Sequence, residues 1–209
     1  IFYSANGLVE CNVDSVTSGG GCIKVSSANV FTVASRINHL RVNNLNDPGA
    51  GSVRAIQLDW TGAGGTSTAM EIDHVTITVN TAATSTRAIA INATQSGTKV
   101  NIHHNDLTCS ASAAACNPIQ GIPTTTAAVN SAYHHNRITL NSTDGLARGI
   151  ALSGPDTGTD GPTGFDVYSN LIIAATNKAL RFRQVKTVRI WDNLILDCQN
   201  TNACCFHVA

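Results

Sequence analysis

One pattern recurs along the chain. An apolar residue is followed by two polar residues, a corner residue and, two positions further, another apolar residue. Its instances are Tyr3-Asn6-Leu8, Ile37-Leu40-Val42, Ile72-Val75-Ile77, Ile102-Asn105-Leu107, Tyr133-Asn136-Ile138, Val167-Asn170-Ile172 and Ile190-Asn193-Ile195. A second signature interleaves with it: Ile23-Lys24-Val25, Ile56-Gln57-Leu58, Ile89-Ala90-Ile91, Ile150-Ala151-Leu152, Leu180-Arg181-Phe182 and Phe206-His207-Val208, with a degraded copy around Ile122-Pro123. Apolar residues alternating at period two predict half-buried strands. No long stripe at the helical period of 3.6 is present, so no helix is predicted.

The corners fall at 6, 40, 75, 105, 136, 170 and 193, a cycle of about 31 residues that reads as one structural repeat. Strands at this spacing, with one corner per cycle, predict a right-handed single-stranded parallel β-helix of six to seven rungs. Rungs would stack roughly 4.8 Å apart. The repeat covers nearly all of residues 1–209, which makes one domain.

Asn stands at the corner in Asn105, Asn136, Asn170 and Asn193, and in Asn6. In this the chain resembles the pectate-lyase-like right-handed β-helix superfamily, which stacks Asn side chains inside a tight turn on successive rungs. An Asn amide donates to one rung and accepts from the next. Leu40 and Val75 depart from the pattern and predict an interruption. The superfamily includes lyases, hydrolases, epimerases, tailspikes and adhesins, so the resemblance bears on fold more than on activity.

Composition narrows the function. Only 12 % of the 209 residues are charged, and Lys+Arg equals Asp+Glu at 13 each, against roughly 25 % charge in ordinary domains. A broad electrostatic footprint for nucleic acid or anionic lipid is thereby excluded, and no apolar run approaches the roughly 18 residues of a membrane span. The chain starts at Ile1 without a signal peptide, as a mature chain or an excised fragment would. Its last rung begins at 206–208, from which we expect further chain or a stacked copy at the ends.

The seven cysteines follow the repeat. Their shared phase predicts bridges Cys11–Cys22, Cys109–Cys116 and Cys198–Cys205, with Cys204 odd or exchanging with Cys205. Such bridges imply an oxidising, extracellular setting. Asn92-Ala-Thr94 and Asn141-Ser-Thr143 match the glycosylation triplet.

Six of seven histidines precede the corners. His39, His74, His104 and His135 share one phase and predict a stacked column, continued by Tyr168 and Trp191. The alternative is a metal site in which imidazoles one rung apart reach one cation, with Asp73 as ligand or orienter. No cofactor is expected, the alternative being calcium or a transition metal.

For catalysis, Ile72-Asp73-His74 resembles part of a Trp-Ile-Asp-His run of pectate and pectin lyases, with Glu71 in place of the Trp. The accompanying Arg-x-Pro-x-x-Arg run is missing, as are the polygalacturonase and epimerase signatures. Outward positions of the second strand type place Arg181 and Arg183 together, with His207 one rung on, as a basic patch for a carboxylated or sulfated sugar. Asp156 and Asp160 lie in the longest Gly/Pro-rich loop. Leu171, Ile173, Leu194 and Leu196 face outward as an apolar patch for self-association or a further chain segment. The expectation is a non-catalytic extracellular module (spike, stalk, adhesin or fibre segment) with glycan contact. The alternative is a polysaccharide lyase or glycoside hydrolase using Asp73, His74, Arg181 and Arg183. No nucleic-acid partner and no membrane span are expected.

Overall fold

The structure is a computed structural model. It describes residues 9–13, 22–27, 35–46, 52–60, 70–81, 85–93, 99–110, 115–123, 128–141, 147–154, 163–174, 178–198 and 205–208. Asn6, Cys204, Asp156, Asp160 and the Cys11 side chain lie outside the described set. The described residues form twenty strands and no helix, and therefore no helix long and apolar enough to cross a membrane.

Three parallel sheets run the length of the chain, as a parallel β-helix requires. The entry sheet leads into the corner and consists of Ser35–Asn38, Met70–Asp73, Val100–His103, Ala128–His134, Thr163–Tyr168 and Thr187–Trp191. The exit sheet leaves it: Val9–Val13, Leu40–Asn46, Thr76–Thr81, Asp106–Cys109, Arg137–Leu140, Leu171–Ala174 and Leu194–Leu196. The return sheet completes each rung: Ile23–Ser27, Ser52–Trp60, Ser85–Ala93, Ala115–Pro123, Arg148–Ser153, Lys178–Arg183 and Phe206–Val208. Register aligns like with like: Ile72 pairs with Ile102, Ile77 with Leu107, and Ile56 with Ile89. These inward columns are fully buried and form one continuous apolar core.

The return strand after Cys116 differs from the predicted one. Ile119-Gln120-Gly121, not Ile122-Pro123, holds the repeat phase, with Gln120 paired to Ala90 and Ala151. The pattern looked degraded because the inward position is Gly121. A Cβ there would lie 3.3 Å from the Tyr133 hydroxyl and 3.0 Å from Leu152. The buried Tyr133 ring, from the next entry strand, occupies the space an Ile would fill.

Each corner turns through one residue of positive φ: His39 (53°), His74 (51°), His104 (54°), His135 (53°), Ser169 (51°) and Asp192 (52°). The left-handed region is costly for most side chains, and His, Asn and Asp are enriched there. The next residue points into the turn. From Asn105 onward it is Asn, and the side chains form the predicted ladder. Asn136 Nδ2 donates to Ile102 O (2.9 Å) and to Asn170 Oδ1 (3.0 Å), while its Oδ1 accepts from Asn105 Nδ2 (2.9 Å) and Asn105 N (3.3 Å). Asn193 closes the series, accepting from Asn170 and donating to Val167 O at 2.9 Å. Leu40 and Val75 interrupt it as predicted, and the Val75 N–H donates to Asn105 Oδ1.

Two of the predicted bridges, Cys109–Cys116 and Cys198–Cys205, are formed, each spanning seven residues between an exit and a return strand. Cys22 is also disulfide-bonded.

Asn136 is buried on both sides of the ladder. Asn136→Ala strands several donors and acceptors that water cannot reach, each worth about 1–3 kcal/mol. We expect a loss of about 3–5 kcal/mol by denaturant unfolding, and about half that for Asn193→Ala at the partly exposed end. Equal small losses at both positions would contradict the ladder's role.

Candidate functional site

The corner carries two ring columns rather than one. The outer column stacks His39, His74, His104 and His135, with centroids 5.6, 5.5 and 5.0 Å apart and planes within 6°. Tyr168 and Trp191 do not continue it. They belong to a second, inner column one residue earlier in phase, where His103, His134, Tyr168 and Trp191 stack at 4.9, 4.6 and 4.4 Å. The residue after Tyr168 is Ser169, so the outer pile ends at His135.

Hydrogen bonds tie the columns together within each rung. His74 Nδ1 donates to Asp73 Oδ2 at 2.5 Å. His103 Nδ1 and His104 Nδ1 are 2.8 Å apart, as are those of His134 and His135. Inner rings are anchored from the preceding rung: His103 Nε2 donates to Glu71 Oε1 (2.7 Å) and His134 Nε2 to Asn101 Oδ1 (2.8 Å).

Asp73 is fully buried. Burial alone would raise its pKa, but the hydrogen bonds from Arg36 and His74 and the Arg36 and His103 charges outweigh it and hold the carboxyl below its ordinary value. Arg36 grips it through Nε (2.6 Å) and Nη2 (2.5 Å). Glu71, Asp73 and His103 bring their ligand atoms within 4.8 Å of one another, yet the Arg36 guanidinium already supplies the positive charge there.

The expected metal site between rungs does not fit this geometry. Two nitrogens sharing one ion at about 2.1 Å lie at most about 4.2 Å apart. Parallel rings with centroids 5.0–5.6 Å apart point their lone pairs side by side, not at a common point. His39, His74, His104 and His135 are thus a stack, not a chelate across rungs.

The four catalytic candidates do not meet. Asp73 and His74 share the entry-sheet corner, whereas Arg181 and Arg183 stand on the return sheet. There Arg181 pairs in register with His207, and the glycan-binding candidates occupy one face. The apolar candidates pair as Leu171–Leu194 and Ile173–Leu196 on the exit sheet. Leu194 and Leu196 are exposed, together with Trp191, Phe206 and Val208. Asn141 is exposed at the end of its strand.

The return-sheet face also holds a cationic column that the sequence reading missed. Arg54 pairs with Arg87, Arg87 with Asn117, and Arg148 with Lys178. Arg54 Nη1 donates to Gln57 Oε1 at 3.2 Å, but its Nε is buried without an acceptor. Arg87 Nε and Nη1 are likewise buried without acceptors. Burial, then repulsion from Arg54 and Arg148, pushes the Arg87 guanidinium down to about 10. The signal was readable: Arg54-Ala-Ile56, Arg87-Ala-Ile89, Arg148-Gly-Ile150 and Lys178-Ala-Leu180 repeat a cation, a small residue and an aliphatic. The middle residue must be small, since a Cβ on Gly149 would lie 2.6 Å from Ala179 O.

Comparison with protein families, with characterised proteins and with solved structures finds no match.

The histidine columns make stability depend on pH. Burial and then repulsion from His103, His135 and His104 push His134 down to about 4, against the pull of Glu71. His104 is lowered by burial and by His103, His135 and His74, against the pull of Asp73. Unfolded imidazoles bind protons near 6.5. The unfolded chain therefore takes up more protons between about 6.5 and about 4, and stability is lost as pH falls through that window. We expect Tm to drop from pH 7 to pH 4.5, and His134→Asn to flatten the profile. A wild-type Tm that stays level across this range would contradict the assignment.

Proposed function

We propose that the chain is a rigid extracellular surface module, of spike, stalk, adhesin or fibre type, that contacts an acidic glycan along the outer face of its return sheet. The observation that carries this reading is Arg87. It is a partly buried cation with two donors lacking acceptors, between Arg54 on one side and Asn117 and Arg148 on the other. Guanidinium donors removed from water without an acceptor are costly. A carboxylate or sulfate at the accessible part of the guanidinium offsets its charge. Arg54, Arg87, Arg148 and Lys178 recur at the rung spacing, so a polymer lying along the rod meets them in turn. Arg181, Arg183 and His207 extend the face toward the last rung.

The rest of the chain supports a structural role. Disulfides stitch exit to return strands, which is compatible with an oxidising compartment. The strip of Leu171, Ile173, Leu194 and Leu196 serves self-association in this reading. The ladder and the corner resemble those of the pectate-lyase-like superfamily, which supports this reading. A second reading, a lyase or hydrolase of that type, is favoured by one observation: buried Asp73 holds the Nδ1–H of half-exposed His74, which leaves Nε2 as a base.

Binding to polygalacturonate, heparin and a neutral glucan separates these readings. We expect the two acidic polymers to bind in a salt-sensitive manner and the neutral one not to bind. Arg54→Ala with Arg87→Ala should weaken binding about tenfold or more, whereas Arg189→Ala on the entry sheet should not. Equal binding of the neutral glucan would overturn the proposal. Turnover of either acidic polymer that is lost on His74→Asn would establish the enzyme reading instead.

A further inference from the structure

The corner histidines are paired within rungs more closely than between them. His103 Nδ1 and His104 Nδ1 are 2.8 Å apart, with ring planes at 87°. His134 Nδ1 and His135 Nδ1 repeat this at 2.8 Å and 84° one rung later. We propose that these are two chelating pairs for a transition-metal dication, copper(II) or nickel(II), each ion held within a single rung by two Nδ1 atoms.

Three features carry the inference. First, the separation fits. An ion about 2.05 Å from both nitrogens closes a 2.8 Å gap at an angle of about 86°. That is the cis angle of tetragonal or octahedral coordination. A tetrahedral pair would need the nitrogens about 3.3 Å apart, so the geometry selects copper(II) and nickel(II) over zinc. Second, the inner rings are oriented as metal-binding imidazoles are. His103 gives its Nε2–H to the Glu71 carboxylate and His134 gives its Nε2–H to the Asn101 carbonyl, which puts the lone pair of each neutral ring at Nδ1, facing the partner. Third, the outer rings can adapt. His104 and His135 are exposed. In the metal-free protein each donates its Nδ1 proton to the inner ring. On binding, the ion replaces that proton and solvent supplies one at Nε2. The outer ring changes tautomer, and no net proton is released.

The remaining rungs lack such a pair. His39 has Asn38 as its inner neighbour and His74 has Asp73, which Arg36 already engages. Ions in both pairs would stand about one rung apart, so the second should bind more weakly than the first.

The test uses the tag-free, disulfide-intact chain with residual thiols alkylated. It is titrated at pH 7.5 with copper(II), nickel(II) and zinc(II) salts by calorimetry, with electron paramagnetic resonance on the copper form. Copper is expected to bind tightest, with couplings to two nitrogens of imidazole type. His104→Asn with His135→Asn should weaken copper binding about 100-fold or more. Asn accommodates the left-handed corner, and these side chains are exposed, so the variant should keep its fold. Glu71→Gln should weaken it about tenfold, and His39→Asn should leave it unchanged. The proposal is overturned by a zinc preference over copper, by a single nitrogen ligand, by retained affinity in the double variant, or by equal sensitivity to His39→Asn.

Discussion

Every rung turns through one left-handed residue, and everything on the molecule's surface follows from that corner recurring at a constant phase. The corner brings the next side chain into a space closed to water, where only a group that both donates and accepts can satisfy the backbone of two rungs. Asn does this from Asn105 to Asn193; Asn136 and Asn170 each accept from the rung before and donate on both sides, and Asn193 ends the series. Leu40 and Val75 show the other solution, an apolar plug, with the neighbouring Asn105 supplying the one acceptor that Val75 needs. Because the register is then shared by all three sheets, residues of one phase line up in columns, with long polar side chains also reaching across to the neighbouring phase.

This constraint makes like side chains stack, for better and worse. Aliphatic columns build the core at no electrostatic cost. Imidazole columns remain favourable while neutral, and the same contact that stacks His104 between His74 and His135 opposes its protonation. Guanidinium columns are less tolerant, because Arg cannot neutralise at physiological pH, and Arg54, Arg87 and Arg148 raise one another's cost. The entry sheet solves the problem by alternating sign, as where Arg36 grips Asp73 and Arg189 grips Asp166. The return sheet has Asn117, not an acid, in register with Arg87.

What was legible in the sequence follows the same division. The corner phase, the inward columns, the Asn ladder and the disulfides of the exit-to-return turn were readable because each depends on a single repeated position. The phase was lost where one rung borrows volume from another: Gly121 looks like a break until the Tyr133 ring is seen filling its place. The ring columns were confused because His-His pairs put two stacks side by side. Tyr168 stands two residues before its corner, as His134 does, and the structure stacks the two rings accordingly. The Arg column escaped notice because its members stand two residues before the strand signature, separated from it by Ala55, Ala88, Gly149 and Ala179.

The rung spacing also decides what kind of ligand each face can hold. Neighbouring rungs are about 4.8 Å apart, and a single ion at ordinary bond lengths bridges at most about 4.2 Å. The parallel imidazoles of the outer column, 5.0–5.6 Å apart, therefore do not converge on one small cation. The perpendicular His103–His104 and His134–His135 pairs bring two nitrogens together inside a rung. A ligand that spans rungs must instead be extended, with charges repeating along the rod. That is the demand made by Arg54, Arg87, Arg148 and Lys178. On the proposed readings, the corner suits a small ion held within a rung and the return face an extended polymer, a difference that follows from ring orientation at one place and rung repetition at the other.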